Sequence, residues 1–505
     1  MLSIITLLSS CEVEDTPIKE PELIMPSFKS FAFLKDNNRS LEADVYCPIN
    51  GCDTITLFVP YAKTDSLVAT FVGDYDSVVV DSVIQVSGKS ALDFNLPVTY
   101  TLKKENTEDV SYTFLVQGYN GLPRVEIQSD QPIESRTEYV SGKVKINNAP
   151  AFGIIEQSCK LKGRGNATWR DYPKKPYKIK LETKESVLGF PANKDWVLLA
   201  EYCDKSLLRT AYMCEASKAV GMEYTVNYQH VELILNGEYQ GTYIITDQVE
   251  KGKNRINIKD DGFIIEDDTY WDYEPLYFAS ELMGYNYTFK YPNADKGDII
   301  SGDEKFNYIK AFIGDLERAL KAIPEDCETY KNLIDIRSFA KWYISAEVIG
   351  NWEPNLFYVL PSKGEKLKMY PMWDAEWSLG LASKGNPDHP YGWYFPPFEP
   401  KVDVDIWKNR KYFEYLFKDP EFVSKVKDEW TLFKNNYSGL KDTIQKRQNS
   451  IVYSQHENFK VWDILNKYVS VGLVALGSWE AETDYVSAFL DARVKWLDSQ
   501  LSEVY

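Results

Sequence analysis

The sequence predicts an α+β protein with a β-rich first lobe and a helical second lobe, preceded by a separate all-β domain. Short runs of β-branched and aromatic residues between turn residues dominate residues 27–300, and amphipathic helical patterns follow them. The length of 505 residues also exceeds the roughly 100–200 residues of a single domain. In a two-lobed arrangement we expect the functional site between the lobes.

The N-terminal segment, residues 1–26, predicts a lipid anchor followed by a linker. Leu8, Ser9 and Ser10 precede Cys11 in a pattern that resembles a bacterial lipobox, in which the cysteine is lipidated. This implies an extracytoplasmic protein at the outer membrane or cell surface, with membrane contact only through Cys11. A frayed apolar N-terminus is the alternative.

Residues 27–120 predict an all-β sandwich, because strand-like runs recur at sandwich spacing at 54–60, 77–86 and 111–116. The segments 86–94, 97–100 and 112–116 resemble the immunoglobulin-like modules that precede larger domains in Bacteroidetes surface proteins. That resemblance implies a spacer or adhesive role. Cys47 and Cys52 flank a turn, so a hairpin disulfide between them is plausible.

The composition argues against several classes of function. Acidic residues outnumber basic ones by 75 to 57, and the net charge of −18 disfavours binding to nucleic acid or to an anionic membrane. Three histidines are too few to favour a histidine metal site or a catalytic triad. The apolar runs fall far short of the ~20 residues of a membrane-spanning helix. Four further cysteines are expected as buried thiols: Cys159, Cys203, Cys214 and Cys327.

Residues 121–505 form the larger predicted unit. Residues 231–246 alternate around Asn236-Gly237 and predict a hairpin with a type I′ turn. Asp204 predicts the start of a helix that ends at Gly221. Three later helices have apolar stripes at helical spacing. The stripes are Phe339, Trp342, Tyr343, Ala346 and Ile349; Phe422, Val426, Trp430 and Phe433 after Asp419-Pro420; and Val486, Phe489, Leu490, Val494, Leu497 and Leu501.

Residues 162–180 combine glycines with positive charge in an otherwise acidic chain. The pattern Gly163-Arg164-Gly165 lets a backbone approach a ligand closely. Lys178 and Lys180 share one face of an alternating strand. A phosphate clamp fits this segment, and a solvated basic hairpin is the alternative.

Two acidic segments are further candidates. Asp374 and Glu376 would project to the same face of a strand and could share Mg²⁺, whereas in a turn they would be a cap and a surface acid. Glu353 lies near the end of a predicted helix, where it could be a metal ligand, a base or part of a surface loop.

Taken in order, these segments resemble the CotH (spore coat protein H) kinase family over roughly residues 140–435. The motifs that carry the resemblance are 162–180, 204–209, 235–243, 253–258, 262–267, 350–353, 373–376 and 416–422. The resemblance implies an atypical protein-kinase-like fold of two lobes, which transfers the γ-phosphate of ATP to Ser or Thr of an extracytoplasmic protein with Mg²⁺ or Mn²⁺.

The resemblance also implies site roles. Asp374, with Glu376, would hold the metal, and Glu353 would occupy the catalytic-carboxylate position. Lys178 would bind phosphate, with Lys175 as the alternative. The remaining residues expected to contact the nucleotide are Gly163, Arg164, Gly165 and Arg209.

Glu353 and Glu376 stand where the family usually has Asp. Each replacement adds a methylene and moves the carboxylate by about 1.5 Å, and a displacement near 1 Å can cost ~10²-fold in rate. An inactive relative that binds a glycan or a protein, using aromatic residues such as 391–398, is therefore an alternative. A glycoside hydrolase using Glu353 and Glu376 is a weaker one. An acidic surface would repel acidic acceptors unless residues 162–180 line the site.

Overall fold

A computed structural model describes residues 25–119 except 40, 42–43, 48, 50, 52 and 61–63, and residues 122–148, 153–351, 356–381, 390–395, 411–470 and 472–503. Cys11, Cys52 and Glu353 lie outside the described residues, as do the expectations that rest on them. The chain divides into two compact units, Met1–Asn120 and Gly121–Tyr505. Strands and helices are both abundant, which confirms the α+β class.

The first unit is built from strands around an aromatic core, in which the Phe31 and Phe114 rings stack at 4.0 Å. The strands form a three-stranded sheet in the order β2-β1-β5, a five-stranded sheet in the order β3-β10-β9-β6-β7, and the pair β4-β8. Their bounds are β1 Ser27–Phe33, β2 Val45–Cys47, β3 Thr54–Pro60, β4 Leu67–Val68, β5 Thr70–Asp74, β6 Ser77–Val80, β7 Val83–Ile84, β8 Ala91–Leu92, β9 Val98–Lys103 and β10 Val110–Tyr119.

Two of the three predicted strands in this unit, 54–60 and 111–116, are confirmed. The run 77–86 differs, because it folds back as the hairpin β6–β7. Its turn residues Asp81 and Ser82 take positive φ angles of 48° and 68°, as a two-residue hairpin turn requires. Cys47 is a buried free thiol.

The second unit begins with a closed seven-stranded barrel in the order β11-β12-β13-β14-β15-β17-β16. Parallel pairing of β11 with β16 closes it, and its interior is apolar, with Ile179 and Trp196 fully buried. The strands are β11 Arg124–Ser129, β12 Val140–Asn148, β13 Gly153–Gly163, β14 Tyr177–Glu185, β15 Asn193–Leu199, β16 Tyr228–Leu235 and β17 Glu238–Asp247.

The predicted hairpin is confirmed as β16–β17, where Leu235 pairs with Glu238 across the turn. Asn236 and Gly237 have φ angles of 52° and 84°, the signs that a type I′ turn needs.

A five-stranded sheet and several helices complete this unit. The sheet has the order β19-β20-β18-β21-β22. Its strands are β18 Phe263–Asp267, β19 Tyr277–Ala279, β20 Asn286–Tyr291, β21 Leu356–Leu360 and β22 Lys368–Met369. The helices described are α1 Ala167–Asp171, α2 Arg209–Ala219, α3 Glu304–Lys321, α4 Ile336–Ile349, α5 Lys411–Leu416, α6 Pro420–Ile451, α7 Ser454–Val461 and α8 Trp479–Glu503.

The three predicted helical stripes belong to α4, α6 and α8, and nearly all of their residues are buried. Asp419 caps α6 as predicted, accepting from the Glu421 amide at 2.8 Å. Helices predominate after residue 300 as predicted, but the strands β21 and β22 also lie there, and β21 pairs with β18 from before residue 300. No described helix has the length and apolar character that crossing a membrane demands.

Candidate functional site

The connection between β13 and β14 carries the glycine- and lysine-rich segment and contains α1. The Trp169 ring packs directly over Gly163, where an added Cβ would lie 2.5 Å from ring atoms. Gly165 turns the chain at a φ of 78°. Arg136 donates to the Gly165 carbonyl at 2.8 Å and also to Asn166 Oδ1. The close approach that Gly163 permits is therefore made by Trp169, and Arg136 binds the loop at Gly165 and Asn166.

Arg164 links this loop to the second acidic segment. Its guanidinium lies 5.5 Å from the centroid of the Trp373 ring. Burial lowers the pKa of Arg164, while the charges of Asp374 and Glu266 oppose that shift. Arg164 thus faces two carboxyl groups that come from separate parts of the chain.

Asp374 lies in an irregular segment directly before the turn at residues 376–380, so Asp374 and Glu376 do not project from one face of a strand. Its φ of 59° is left-handed, a conformation that non-glycine residues adopt chiefly where the surroundings impose it. Residue 374 is exposed to solvent. Burial raises the pKa of Asp374, and the Arg164 charge opposes the shift. Within the described ranges, Asp374 makes no hydrogen bond or close ion pair.

Glu376 has different surroundings, since its Oε1 accepts from the Cys203 amide at 2.8 Å. Burial raises the pKa of Glu376 to about 7. Glu201 is a buried neighbour whose pKa is also raised, by burial and then by Glu376. Glu201 Oε1 accepts from Thr210 at 2.9 Å, whereas its Oε2 is buried without a hydrogen bond.

Three lysines of the segment have three distinct environments. Lys178 lies 3.1 Å from Asp195 Oδ1 and is the cross-strand neighbour of Lys162. Lys175 donates to the Trp169 carbonyl at 2.5 Å. Lys174 is fully buried, and burial lowers its pKa to about 7.

A cavity of about 500 Å³ lies against the β13–β14 connection, and we call it the Trp169 groove. Three cationic side chains line it, Arg136, Arg170 and Lys175, together with the amide of Asn166. Trp169, Tyr270 and Tyr273 form its aromatic part.

The family model described as CotH kinase protein matches residues 161–497, about two thirds of the chain. The chain belongs to the CotH kinase family. The predicted resemblance is thereby confirmed, and the match extends past residue 435 through most of α8. A comparison with curated proteins finds no match.

Arg209 is placed differently from its expected role at the nucleotide. It is fully buried, pairs with Asp204 at 2.5 Å, and donates from Nε to the Ser378 carbonyl at 2.8 Å. A guanidinium without solvent access cannot meet a phosphate, so Arg209 instead holds the turn that follows Glu376 in this CotH protein. The other expected site residues that the structure describes remain predictions in their roles.

The described residues contain no group of three or more His, Cys, Asp or Glu side chains arranged to hold a metal ion. Mg²⁺ in nucleotide sites is commonly held by one or two carboxylates together with substrate phosphates. Asp374 and the second oxygen of Glu376 fit that smaller donor set.

Sequence reasoning missed several buried charged residues of this CotH site. Glu266 on β18 pairs with Lys290 at 2.8 Å, and burial nevertheless raises the pKa of Glu266 to about 7. Lys174 and Glu201 were missed as well. Lys174 stands in the sequence Pro173-Lys174-Lys175-Pro176, which gives no local sign that its side chain is buried. Its partners, Thr242 on β17 and Asn458 on α7, lie far along the chain.

Proposed function

We propose that this CotH family protein transfers the γ-phosphate of ATP to a serine or threonine hydroxyl of an extracytoplasmic protein, with Mg²⁺ or Mn²⁺. The observation that carries the proposal is Asp374. Its carboxylate has no close partner among the described residues, is held by a left-handed backbone and faces Arg164. A solvent-accessible carboxylate without a close partner is free to bind a cation such as Mg²⁺.

Phosphoryl transfer needs positioning and charge neutralisation more than covalent chemistry from the protein. Asp374 and Glu376 are the residues that would hold the metal. The chemistry that a bound Mg²⁺ would supply there is neutralisation of phosphate charge. Arg164 adds a fixed positive charge beside Asp374.

Lys175 and Lys178 both remain proposals for the phosphate-binding lysine. Lys175 lines the Trp169 groove, whereas Lys178 is held by Asp195. We propose Glu353 as the carboxylate that orients the acceptor hydroxyl, although it lies outside the described residues.

The aromatic segment 391–398 gives the binding-protein alternative little surface in its described part, where Tyr391 is 49% exposed but two further rings are not. Tyr394 and Phe395 are buried. The Phe395 ring packs 5.2 Å from Trp342, and Arg493 lies 4.8 Å from the Tyr394 ring. These rings stabilise the fold and are not available to stack on a sugar.

We further propose that a lipid on Cys11 holds the protein at the outer membrane or cell surface. Metabolic labelling with a fatty acid tests this. Incorporation that is lost in Cys11→Ser supports the anchor, and an unlabelled parent protein contradicts it.

Calorimetric titration of ATP into the full chain, with Mg²⁺, with Mn²⁺ and with EDTA, tests the kinase proposal. We expect binding that needs metal, that weakens at least tenfold in Asp374→Ala, and that is unchanged in the exposed control Asp484→Ala. Transfer to serine and threonine peptides then tests catalysis. Equal ATP binding by the parent and Asp374→Ala would show that the metal assignment is wrong.

A further inference from the structure

The Trp169 groove holds positive charge that the described protein does not neutralise. Arg136 donates only to neutral oxygens, those of Gly165 and Asn166. Lys175 likewise donates to a backbone carbonyl, that of Trp169. Neither forms an ion pair with a described carboxylate, and no carboxylate lines the groove. In a chain of net charge −18, such a groove selects an anionic ligand by contrast with the rest of the surface.

The third cation of the groove, Arg170, pairs with its chain neighbour Asp171. Both nitrogen–oxygen distances of this pair are 2.7 Å, and both side chains are exposed. An exposed pair of this kind is weak and can be exchanged for a ligand carboxylate or phosphate at little cost.

The aromatic part of the groove gives it a rigid floor and an open wall. Trp169 is fixed between Gly163 and Tyr177, whose ring lies 6.2 Å away. Tyr273 is 66% exposed, and its ring lies 6.3 Å from that of Tyr270. An exposed tyrosine wall suits a chain that lies along the surface, whereas a nucleotide base is usually enclosed by apolar side chains.

We propose that the Trp169 groove binds the acceptor protein through acidic residues that flank its phosphorylated serine or threonine. The proposal rests on the kinase function proposed above, with Lys178 and not Lys175 as the phosphate-binding lysine. Arg164, whose charge acts on Asp374, precedes Asn166 of the groove by two residues, so the Cα atoms of Arg164 and Asn166 are at most about 7 Å apart. The charge of the groove makes it a site for an acidic segment on a protein that otherwise repels one.

Fluorescence anisotropy with the full chain tests this without ATP, so that its outcome is independent of kinase activity. The probes are a labelled peptide with serine between aspartates and a matched peptide with serine between lysines. The variants are Arg170→Glu and Tyr273→Ala, and Lys184→Glu is the control, an exposed lysine outside the groove with the same change of charge. We expect only the acidic peptide to bind. Its affinity should fall about tenfold in Arg170→Glu and stay unchanged in Lys184→Glu. Binding should also weaken as salt is raised.

Three results would overturn the proposal. The first is that the two peptides bind equally well, or that Arg170→Glu and Lys184→Glu lose the same affinity for the acidic peptide. The second is displacement of the acidic peptide by a non-hydrolysable ATP analogue together with weaker ATP binding in Arg170→Glu, which would assign the groove to the nucleotide. The third is binding of an oligogalacturonate, but not of the acidic peptide, which would assign it to an acidic glycan.

Discussion

Lys174 and Asn458 are joined by a hydrogen bond of 2.9 Å between Nζ and Oδ1, although they lie 284 residues apart. Lys174 Nζ also donates to the Thr242 carbonyl at 2.5 Å, and Asn458 Oδ1 accepts from the Thr242 amide at 3.1 Å. These three bonds fix α7 to β17 beneath the loop that carries Arg164. The C-terminal part of the chain therefore contributes to the position of the candidate site.

We expect Asn458→Ala to lower the free energy of unfolding of the second unit by about 1–3 kcal/mol, because it leaves the buried Thr242 amide without an acceptor. A double-mutant cycle with Lys174→Met should give a coupling energy of about 0.5–3 kcal/mol. Urea unfolding followed by tryptophan fluorescence measures both. Additive effects of the two changes would contradict a direct link between the side chains.

The raised pKa of Glu376 predicts a stability that depends on pH. In the folded protein the Glu376 carboxyl group stays protonated up to about pH 7, whereas in the unfolded chain it loses its proton near pH 4.5. The contribution to stability is therefore complete below about pH 4.5 and is lost as the pH rises through about 7, by at most ~3 kcal/mol. Lys174 affects stability at higher pH. Because burial lowers its pKa to about 7, the unfolded chain binds more protons than the folded protein between about pH 7 and 10.5, and stability rises over that range.

Melting temperatures between pH 4.5 and 7, without metal, measure this effect. Glu376→Gln should flatten the decline, and the exposed control Glu480→Gln should leave the profile of the parent unchanged. An identical decline in Glu376→Gln would mean that other buried acids, such as Glu266, cause it.

Gly163→Ala should destabilise the β13–β14 connection. The added Cβ would lie 2.5 Å from the Trp169 ring, so the ring must move and the floor of the Trp169 groove with it. We expect a loss of ~1–3 kcal/mol in the free energy of unfolding. Gly439→Ala is the control: it lies within α6 with no atom near the new Cβ, and should stabilise by about 0.5–1 kcal/mol. Equal melting temperatures for the two variants would contradict the packing of Trp169 on Gly163.

Local chemistry explains which parts of the fold were predictable. The turn at Asn236-Gly237 and the cap at Asp419 depend on residues a few positions away, and both were found from sequence. The pairing of β18 with β21 was missed, because a short apolar run such as Leu356–Leu360 fits a strand or a buried helix equally well.

The candidate site was predictable as a set of segments but not as an arrangement. The sequence identified the segments of Arg164 and Asp374, and the structure brings these two residues close enough for their charges to interact. The sequence could not reveal that the Arg209 guanidinium is enclosed by Asp204 and the Ser378 carbonyl. Burial of a charged side chain is decided by partners far along the chain, and a single sequence does not contain that information.

Asp374→Asn should separate the functional role of this position from its effect on stability. Asparagine tolerates the left-handed backbone of residue 374 better than most residues, so this backbone conformation is retained. The change removes a carboxylate whose pKa is raised by burial and which no close ion pair in the described part of the chain neutralises. Without metal, the variant should melt at the same temperature as the parent or higher. The difference in melting temperature between the variant and the parent should grow as the pH rises above the ordinary carboxyl range. There the Asp374 carboxyl group is ionised in the unfolded parent but resists ionisation in the folded parent.

With Mg²⁺ and ATP the order should reverse. The parent gains stability from ligand binding, whereas Asp374→Asn, which lacks one of the two proposed metal ligands, should gain little. Thermal unfolding with and without Mg²⁺-ATP measures both halves of the comparison in one experiment. A variant that is less stable than the parent without metal, yet gains as much from Mg²⁺-ATP, would show that Asp374 stabilises the local backbone and does not bind a cation. The left-handed backbone and raised pKa of Asp374 would then be features of folding alone.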